Sequence, residues 1–472
     1  MPEKVKVRFA PSPTGTLHVG SARTALFNYL FARSQKGKYI LRIEDTDFDR
    51  SADEYVMDIV KGLSWLKIKP DEKIYYQSQR RGLYLPYIEK ILKSNSAYHC
   101  YCTDEELESE RAAQIAAKKP PRYLGKCRNL SAYQIEEYKK QGRKPAIRFA
   151  MPQENILIDD LVHGLVKFDA ALIGDFIIVK SNGMPSYNFA AVIDDHLMGI
   201  THIIRGEDHL SNTPKQMALY KVLGLKLPKF AHISMILGPD RSKLSKRHGA
   251  KSILEYKAEG YLPEAIINYL SLLSWTPKKS EVLSFEDSLK EFKLEDVSKS
   301  PAVFDAGKLD WMNGQYIRSV KKEYLLELCL PFLEEAGFDI EEKEDEWLME
   351  IIESVKDNLV TLRDLKNYVG VFFEEDINYE KVKEALFHPA SILIIQGLIK
   401  KIPSLKEINH DSVLQILNVI VEENKLKKGE VFKTVRIILT GRNSGPELWR
   451  IIRIFGLEKC LKRIRQALEM KK

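Results

Sequence analysis

Residues suited to holding a phosphate stand near the start of this 472-residue chain, in Pro11-Ser-Pro-Thr-Gly-Thr-Leu-His-Val-Gly20. The prolines and glycine forbid regular structure, so the stretch predicts a tight loop. A helix beginning at its end would offer free N–H donors and the positive end of a dipole to a phosphate. His18 can donate to a phosphate oxygen, and Gly20 has no Cβ, so a nucleotide can lie close to the backbone.

A second stretch, Lys243-Leu-Ser-Lys-Arg247, supplies positive charge from a distant part of the chain, and the flanking glycines Gly238 and Gly249 predict a mobile loop. In adenylation the α-phosphate gains charge as pyrophosphate leaves. A cation that engages it mainly at that moment lowers the barrier by ~3–4 kcal/mol. Because the chain has neither a P-loop nor a Gly-x-Gly-x-x-Gly after its first strand, we expect Lys243 and Lys246 to act with the His18 loop.

The elements around the first motif follow a β–loop–α–β order. Residues 5–10 alternate as a strand does, 21–32 carry an apolar stripe at helical spacing, and Lys38–Ile43 forms a second strand pattern. This order predicts a parallel, doubly wound α/β sheet of the Rossmann type.

The pattern changes after about residue 80. Thr103–Glu106 is a capping box, and strand-like runs follow at 146–150 and 176–180. Thr213-Pro-Lys-Gln216 predicts a helix with Thr213 as its N-cap and Gly224 just past its end. We therefore expect a catalytic domain at 1–80 and 187–250, an α/β insertion at 81–186, a further region at 251–320 and a helical domain at 321–472.

Charge, apolar runs and cysteine content restrict the possible functions less than the motifs do. The net charge of +7 and pI of about 8.8 are compatible with a polyanionic partner. Neither a membrane-length apolar run nor an apolar signal core appears, so we expect a cytoplasmic location and no membrane partner. The five cysteines are too sparse and odd in number for a disulfide framework.

At this point the chain resembles the class I aminoacyl-tRNA synthetases and, more narrowly, the bacterial glutamyl-tRNA synthetases. Pro11–Gly20 matches the family's "HIGH" region, with Ser21 as a departure at its fourth position. The other blocks similar to the family's occur in the family's order: Arg23–Asn28, Leu41–Asp47, Tyr187–Ala190, Arg205–Asp208, Lys243–Arg247, Val303–Asn313 and Thr440–Pro446.

The resemblance implies that ATP and glutamate react to glutamyl-adenylate and that glutamate then passes to tRNA-Glu. It implies catalytic roles for His18, Gly20, Lys243 and Lys246. It implies glutamate contacts at Arg8, Ser12, Glu44, Tyr187 and Arg205. It further implies Mg²⁺ with ATP and nucleotide contacts at Pro11, Ser12, Pro13, Thr14, Gly15, His18, Gly20, Ser21, Lys243, Ser245, Lys246 and Arg247.

Relatives also place a zinc ion in the insertion, on two close cysteines, a later cysteine and a nearby fourth ligand. Here Cys100, Cys102 and Cys127 match, while Asn129 stands where several relatives have histidine. Tyr123 is the substitute fourth ligand, so these four residues form a candidate zinc site; three reduced, unmetallated cysteines are the alternative.

The resemblance assigns the acceptor end of the tRNA to 81–186, its stem to 251–320 and its anticodon to the helical C-terminal part. Asn358 aligns with an arginine that some glutamyl enzymes use to demand a C in the anticodon, which leads to the hypothesis that tRNA-Gln is charged as well. We expect a monomer.

The nearest rival function is that of a truncated paralogue that glutamylates a modified base of tRNA-Asp, and it lacks the anticodon region. A nucleotidyltransferase acting on a small molecule would not need the block around Glu44. A tRNA-binding protein without catalysis would not need the histidine and lysines of the two motifs.

Overall fold

The computed structural model describes residues 4–46, 52–249, 251–386 and 388–470, with all side chains in these ranges except those of Ala171, Lys246, Lys381, Lys383 and Ala385. Of the predicted motifs, the block Leu41–Asp47 ends outside the described residues at Asp47. The chain divides into two compact units, Met1–Lys257 with Pro263–Ala306, and Ala258–Leu262 with Gly307–Lys472.

The strands belong to the first unit. They are β1 (Lys6–Phe9), β2 (Lys38–Ile43), β3 (Tyr75–Tyr76), β4 (Ala97–Cys100), β5 (Ala146–Phe149), β6 (Ile156–Asp160), β7 (Gly164–Phe168), β8 (Phe176–Val179), β9 (His202–Gly206), β10 (Lys229–Ile233), β11 (Ile236–Leu237) and β12 (Ala302–Val303).

The helices that accompany these strands in the chain share the first unit, apart from the last residue of α8. They are α1 (Val19–Ser34), α2 (Asp53–Trp65), α3 (Leu85–Lys93), α4 (Asp104–Ala116), α5 (Ala132–Lys140), α6 (Tyr187–Leu197), α7 (Thr213–Leu223), α8 (Ile253–Ala258), α9 (Pro263–Leu272) and α10 (Phe285–Glu291).

The predicted doubly wound parallel sheet is confirmed. Strand β2 pairs in parallel with β1 and β3, and β10 pairs in parallel with β9 and β6. Strands β1 and β9 join the two halves, because the Thr201 N–H donates to the Lys6 carbonyl at 2.9 Å and the Lys6 N–H donates to the Thr201 hydroxyl at 2.9 Å. The order in which the chain adds strands therefore reverses between β1 and β9. In sheets of this kind, ligands bind at the point of reversal.

Residues 81–186 contain two different structures. Strands β4, β5 and β8 form a separate antiparallel sheet, whose core side chains Phe149 and Ile178 cluster with Phe189 of α6 and Leu219 of α7. Strands β6 and β7 instead form a hairpin that extends the main sheet beyond β10. The catalytic sheet therefore draws one of its parallel strands from within the predicted insertion.

Local capping agrees with the sequence at one helix and differs at another. The Thr103 hydroxyl accepts from the Glu106 N–H at 3.3 Å, and the Glu106 carboxylate accepts from the Thr103 N–H at 3.2 Å, so the capping box of α4 is confirmed. The prediction of Thr213 as an N-cap is wrong, because Thr213 is the first residue of α7, with helical φ and ψ angles of −57° and −44°, and Asn212 holds the N-cap position without a side-chain capping hydrogen bond. Its hydroxyl is turned into the sheet. Gly224 does end this helix, with a left-handed φ of 64°.

In the second unit, the described residues from 307 onward form helices and turns without a β-strand, as predicted for the C-terminal part. Helix α11 begins just before this unit. The helices are α11 (Ala306–Ser319), α12 (Lys322–Glu335), α13 (Asp345–Val355), α14 (Leu365–Tyr368), α15 (Gly370–Phe373), α16 (Lys383–Leu386), α17 (Pro389–Lys401), α18 (His410–Asn424), α19 (Lys428–Thr440) and α20 (Leu448–Glu469, kinked at Gly456). None of the helices in the described ranges has the length and apolarity that crossing a bilayer demands.

Candidate active site

Charged side chains stand in a row across the main sheet, near the carboxyl ends of its parallel strands. Arg8 lies on β1, Glu44 follows β2, and Arg205 lies on β9. All three are buried, with exposed fractions of 4%, 6% and 5%. A buried charge is tolerated only when it is paired with the protein or with a ligand, so each charge in this row needs a partner of opposite sign.

Asp195 of α6 is the carboxylate at the centre of the row. Its Oδ1 accepts from the Nε of Arg8 at 3.0 Å and from the Nη1 of Arg42 at 2.6 Å, and Arg42 Nη2 donates to Glu44 Oε1 at 2.9 Å. Asp195 and Arg42 were not predicted as site residues. The sequence did carry a signal, because Asp195 interrupts the apolar face of a helix that has to pack against the sheet.

The pKa values in the row reflect burial and mutual attraction. Burial is the largest influence on Glu44 and raises its pKa, although Arg42 and Arg8 oppose the shift. Burial also disfavours the charge on Asp195, but Arg8 and Arg42 together outweigh it and lower the pKa of Asp195. For Arg205, burial and then the like charge of Arg8 lower the pKa, while Tyr187 and Asp195 act the other way.

Arg205 is held on one edge and open on the other. Its Nε donates to His232 Nε2 at 3.1 Å and its Nη2 donates to the Thr213 hydroxyl at 2.7 Å, while Nη1 reaches the Tyr187 hydroxyl at a long 3.4 Å. The Tyr187 hydroxyl also lies 3.2 Å from His209 Nδ1, and burial raises the pKa of this tyrosine. Arg205 and Tyr187, both predicted as substrate contacts, are thus neighbours in the structure.

His18 forms the N-cap of α1. Its Nδ1 accepts from the N–H groups of Gly20 and Ser21 at 3.1 and 3.3 Å, and its Nε2 lies 2.9 Å from the Ser21 hydroxyl. These first N–H groups of the helix, which the sequence predicts to be free for a phosphate, are therefore occupied by the imidazole. With Nδ1 acting as acceptor, Nε2 carries the proton, so the helix presents an N–H donor from His18 together with its dipole.

Gly20 has little room for a side chain. A Cβ built at this position would lie 3.1 Å from Cε1 and 3.3 Å from Nδ1 of His18. In the loop before it, Ser12 and Thr14 are exposed, Pro13 is buried, and Pro11 and Gly15 are partly exposed. The Pro11 carbonyl accepts from the Glu44 N–H at 2.9 Å, which joins the loop to the end of β2.

The basic loop leaves the sheet after β11. Leu237 and Lys243 form an antiparallel bridge, Lys243 and Arg247 are exposed, and the Ser245 N–H donates to His248 Nδ1 at 3.2 Å. Lys246 begins a short 3-10 turn, Lys246–His248, and its side chain lies outside the described part of the chain.

The two motifs meet through the backbone. The segment after the basic loop forms an antiparallel bridge between Ser252 and His18, and the Ile253 N–H donates to the Leu17 carbonyl at 2.8 Å. Although His18 is exposed, desolvation by the surrounding chain and then the positive charge of Lys243 lower its pKa, and Asp208 acts the other way. The imidazole is therefore neutral at pH 7, and the cation nearest to it electrostatically comes from the basic loop.

Arg23 ties the same helix to the strand that leads into the basic loop. It is buried, and its Nη1 donates to the Leu273 carbonyl at 3.0 Å and to the Ser274 hydroxyl at 2.9 Å, while Nη2 donates to the Ser234 carbonyl. Burial lowers the pKa of Arg23 to about 10. Ser234 stands between β10 and β11, so helix α1 and the root of the basic loop share one buried anchor.

The cysteine cluster assembles in the small antiparallel sheet. The Sγ atoms of Cys100, Cys102 and Cys127 all lie within 4.8 Å of one another. The Tyr123 hydroxyl is 3.6 Å from the Sγ of Cys100 and of Cys102 and accepts from the Cys127 N–H at 2.8 Å. Hydrogen bonds from Cys127 and from Arg148, whose Nε is 3.2 Å away, lower the pKa of Cys100 to about 4 against the effect of burial. All four predicted ligands are therefore neighbours.

Asn358 is the one predicted residue that lies in the second unit. It ends a 3-10 turn, Lys356–Asn358, and is exposed.

In the first unit, the arrangement combines an imidazole at a helix N-terminus, a lysine from the basic loop, and two buried arginines with a carboxylate. It has no need of a protein nucleophile, because positioning and charge stabilisation suffice for phosphoanhydride chemistry.

Comparison with known proteins agrees with this geometry. Residues 4–311 match the family model of the tRNA synthetases class I (E and Q), catalytic domain, and residues 324–468 match an anticodon binding domain. Glutamate–tRNA ligase 2 of Thermoanaerobacter pseudethanolicus is 46% identical over 470 residues, which cover 99% of this chain and 98% of that protein. The glutamate–tRNA ligase of Carboxydothermus hydrogenoformans is 45% identical over 474 residues, with 98% and 99% covered.

Among solved structures, a glutamate tRNA ligase from Elizabethkingia meningosepticum in complex with its amino acid superposes with a TM-score of 0.90 at 34% identity, and the match covers 100% of both chains. The resemblance drawn from the motifs is thereby confirmed. This chain belongs to the class I tRNA synthetases of the E and Q family.

Proposed function

We propose that this chain is a glutamate–tRNA ligase that attaches L-glutamate to tRNA-Glu through a glutamyl-adenylate. The observation that carries the proposal is the pair of buried arginines, Arg8 and Arg205, on the neighbouring strands β1 and β9. Burial and the like charge of Arg8 lower the pKa of Arg205, and Tyr187 and Asp195 oppose this shift without reversing it. A substrate with two carboxylates relieves this imbalance on binding.

In the first step, the glutamate carboxylate attacks the α-phosphate of ATP and pyrophosphate leaves. The neutral His18 donates from Nε2 to a phosphate oxygen, which requires its present contact with Ser21 to open. Lys243 and Lys246 stabilise the charge that grows on the α-phosphate. Mg²⁺ enters with the phosphates of ATP as part of the substrate.

Glutamate is distinguished from glutamine by the charge of its side chain. Arg8 and Arg205 each present a guanidinium, which suits a carboxylate, and Glu44 holds the ammonium group with Ser12 and Tyr187 completing the pocket. A neutral amide would leave one buried cation without its partner. Loss of a charged hydrogen bond costs about 1.5–3 kcal/mol, or roughly 10–150-fold in specificity.

In the second step, the terminal adenosine of tRNA attacks the acyl carbon. We assign the acceptor end to 81–186, stem contacts to 251–320 and the anticodon to 321–472. The helical second unit and its match to an anticodon binding domain favour tRNA-Glu over the rival substrate, a modified base of tRNA-Asp. The cytoplasmic location and monomeric state stay predictions from the sequence.

The test is pyrophosphate exchange and aminoacylation with glutamate and with glutamine, each with and without tRNA-Glu. We expect exchange with glutamate that depends on tRNA, as the family resemblance implies. Exchange with glutamine in preference to glutamate contradicts the proposal.

Zinc fits the cysteine cluster. Sulfur atoms at 2.3 Å from a tetrahedral zinc lie about 3.8 Å apart, which the cluster's spacing of 4.8 Å or less accommodates. Cys100, Cys102 and Cys127 would hold the ion with Tyr123 as the fourth donor, and the ion would fasten the end of β4 to the loop at 123–127. Metal analysis of protein purified without chelator decides: about one zinc per chain supports the site, and far less contradicts it.

Charging of tRNA-Gln is the finer part of the proposal. Asn358 is exposed and neutral, so it does not exclude a purine or uracil through a fixed positive charge. Aminoacylation of purified tRNA-Gln with glutamate measures this directly. Absence of transfer to tRNA-Gln under conditions that fully charge tRNA-Glu refutes the relaxed specificity.

A further inference from the structure

We propose that Asp160 and His232 are positioning residues that fix the guanidinium of Arg205 for a carboxylate of the amino-acid substrate. The inference rests on the proposed function, in which Arg205 binds glutamate. Neither residue belongs to the motifs that suggested the site. His232 lies on β10, which is next to β9, and Asp160 lies on β6, the neighbour of β10 on its other side and the hairpin strand drawn from within 81–186.

The first link joins Asp160 to His232. Asp160 Oδ2 lies 2.6 Å from His232 Nδ1, and the exposed fractions of the two residues are 2% and 0%. Asp160 Oδ1 also accepts from the N–H groups of Val162 and His163 at 3.0 and 2.9 Å, so the carboxylate cannot turn away. A carboxylate accepts only, so the Nδ1 of His232 is the protonated nitrogen.

The second link joins His232 to Arg205. Because Nδ1 carries the proton and burial lowers the pKa of His232, its Nε2 has a free lone pair, and Arg205 Nε donates to it at 3.1 Å. Register enforces this contact, since His232 and Arg205 are directly paired residues of β10 and β9. Asp160 thereby sets the tautomer that allows the imidazole to accept from an arginine.

Thr213 is the second side chain, after His232, that holds the guanidinium of Arg205. Its hydroxyl lies 2.7 Å from Arg205 Nη2 and 3.0 Å from His232 Nε2. The edge of the guanidinium formed by Nε and Nη2 is therefore fully occupied by His232 and Thr213. The other end, formed by Nη1 and the second N–H of Nη2, remains for a carboxylate, and Nη1 is turned toward Tyr187. These two parallel N–H groups suit a two-point contact.

This role explains why Thr213 does not cap its helix. The Thr-Pro-Lys-Gln sequence has the composition of an N-terminal cap, but the hydroxyl is used by Arg205 instead. A purely structural role for Asp160 would need only its backbone contacts to residues 162, 163 and 232. A structural role does not explain why Asp160 also binds the imidazole of His232, or why that imidazole accepts a hydrogen bond from Arg205.

The test uses a matched pair at His232. In His232→Gln the amide oxygen reaches the position of Nε2 and can still accept from Arg205, whereas in His232→Asn it reaches only the position of Nδ1. Both substitutions bury one amide on β10, so their effects on folding are similar. We expect KM for glutamate to rise at least tenfold in His232→Asn and clearly less in His232→Gln, with KM for ATP within twofold of wild type in both.

Asp160→Asn tests the first link. An amide that donates to Nδ1 forces the proton onto Nε2, which then faces the N–H of Arg205, so KM for glutamate rises at least tenfold while KM for ATP stays within twofold. Asp175→Asn is the control: Asp175 is also a buried, hydrogen-bonded carboxylate, but its partner is Arg128 and it lies just before β8 of the small sheet. It should leave KM for glutamate within twofold.

Thermal unfolding identifies any variant that does not fold. If Asp160→Asn does not fold, the comparison of His232→Asn with His232→Gln decides whether the proposal holds. The proposal is overturned if His232→Asn and His232→Gln have the same KM for glutamate, or if KM for glutamate and KM for ATP rise together. Arg205→Met tests whether Arg205 binds glutamate at all, independently of Asp160 and His232. If it leaves KM for glutamate unchanged, the role of Arg205 falls and the inference with it, while glutamate charging by the wild type still stands; if the wild type does not charge glutamate, the proposed function itself is wrong.

Discussion

Substitution of Gly20 by alanine should impair catalysis through a neighbouring side chain while leaving the fold intact. The new methyl group would lie 3.1 Å from Cε1 and 3.3 Å from Nδ1 of His18, closer than such atoms normally approach. The backbone of α1 cannot yield, because it packs between the sheet and α9. The imidazole must therefore give way by a few tenths of an ångström, which weakens its contacts with the N–H groups of Gly20 and Ser21, at 3.1 and 3.3 Å, and changes its aim.

We expect a small effect of this substitution on stability and a large effect on rate. Loss of an N-cap costs about 0.5–2 kcal/mol, and alanine in place of glycine in a helix returns about 1 kcal/mol. The net change in unfolding free energy is thus small. A misaimed His18 removes one preorganised donor from the transition state, which is worth roughly 10²–10³ in rate.

The assay is single-turnover formation of the adenylate, measured for wild type, Gly20→Ala, His18→Ala and the double variant. If the methyl group acts through the imidazole, Gly20→Ala has no further effect once His18 is absent. Gly82→Ala is the control, because a Cβ there meets no atom within 4 Å and the residue is exposed. An equal loss of rate in the His18→Ala background refutes the reasoning and indicates that the methyl group blocks the nucleotide directly.

Three further outcomes are expected. Lys246→Ala should fold normally but lose roughly 10²–10³ in single-turnover rate; an unchanged rate removes its role. Glu44→Gln should raise KM for glutamate roughly 10–150-fold, as expected for a lost charged hydrogen bond to the ammonium, and an unchanged KM contradicts that assignment. Because the pKa of buried His232 lies below 6.5 and that of Asp160 below 3.8, stability is full above pH 6.5. As the pH falls below 6.5 the unfolded chain takes up protons first, so the free energy of unfolding should fall by at most about 1.4 kcal/mol per pH unit per histidine. The thermal midpoint should therefore drop between pH 7.5 and 5.5. A midpoint that is flat or rises in this range contradicts the burial of a neutral His232.

The sequence predicts the local features of this site well. The loop that ends in His18 and Gly20, the helix after it and the strand Lys38–Ile43 depend on neighbouring residues, on proline and glycine and on periodicity, and each has its counterpart in the structure. The clustering of Cys100 and Cys127 also follows from a short hairpin whose helix is capped where the sequence indicates.

The supporting residues could not be found in the same way. Asp160, His232 and Asp195 gain their roles from the pairing of distant strands and from one helix laid over the sheet, and no local pattern encodes such pairing. Thr213 shows the difficulty in one residue: its local sequence favours a cap, but a buried arginine offers a stronger charged hydrogen bond, and the tertiary contact prevails.

The basic loop is attached to the rest of the first unit at both ends, and this limits how its length can vary. Lys243 is bridged to Leu237 on one side, and beyond the loop the Ile253 N–H is fastened to the Leu17 carbonyl. One residue of extended chain spans about 3.3–3.6 Å, so a single insertion or deletion between the two anchors would shift the lysines by more than the length of a hydrogen bond. The segment from Lys243 to Ser252 should therefore keep a constant length among working copies of the enzyme, while side chains other than the proposed nucleotide contacts can be exchanged.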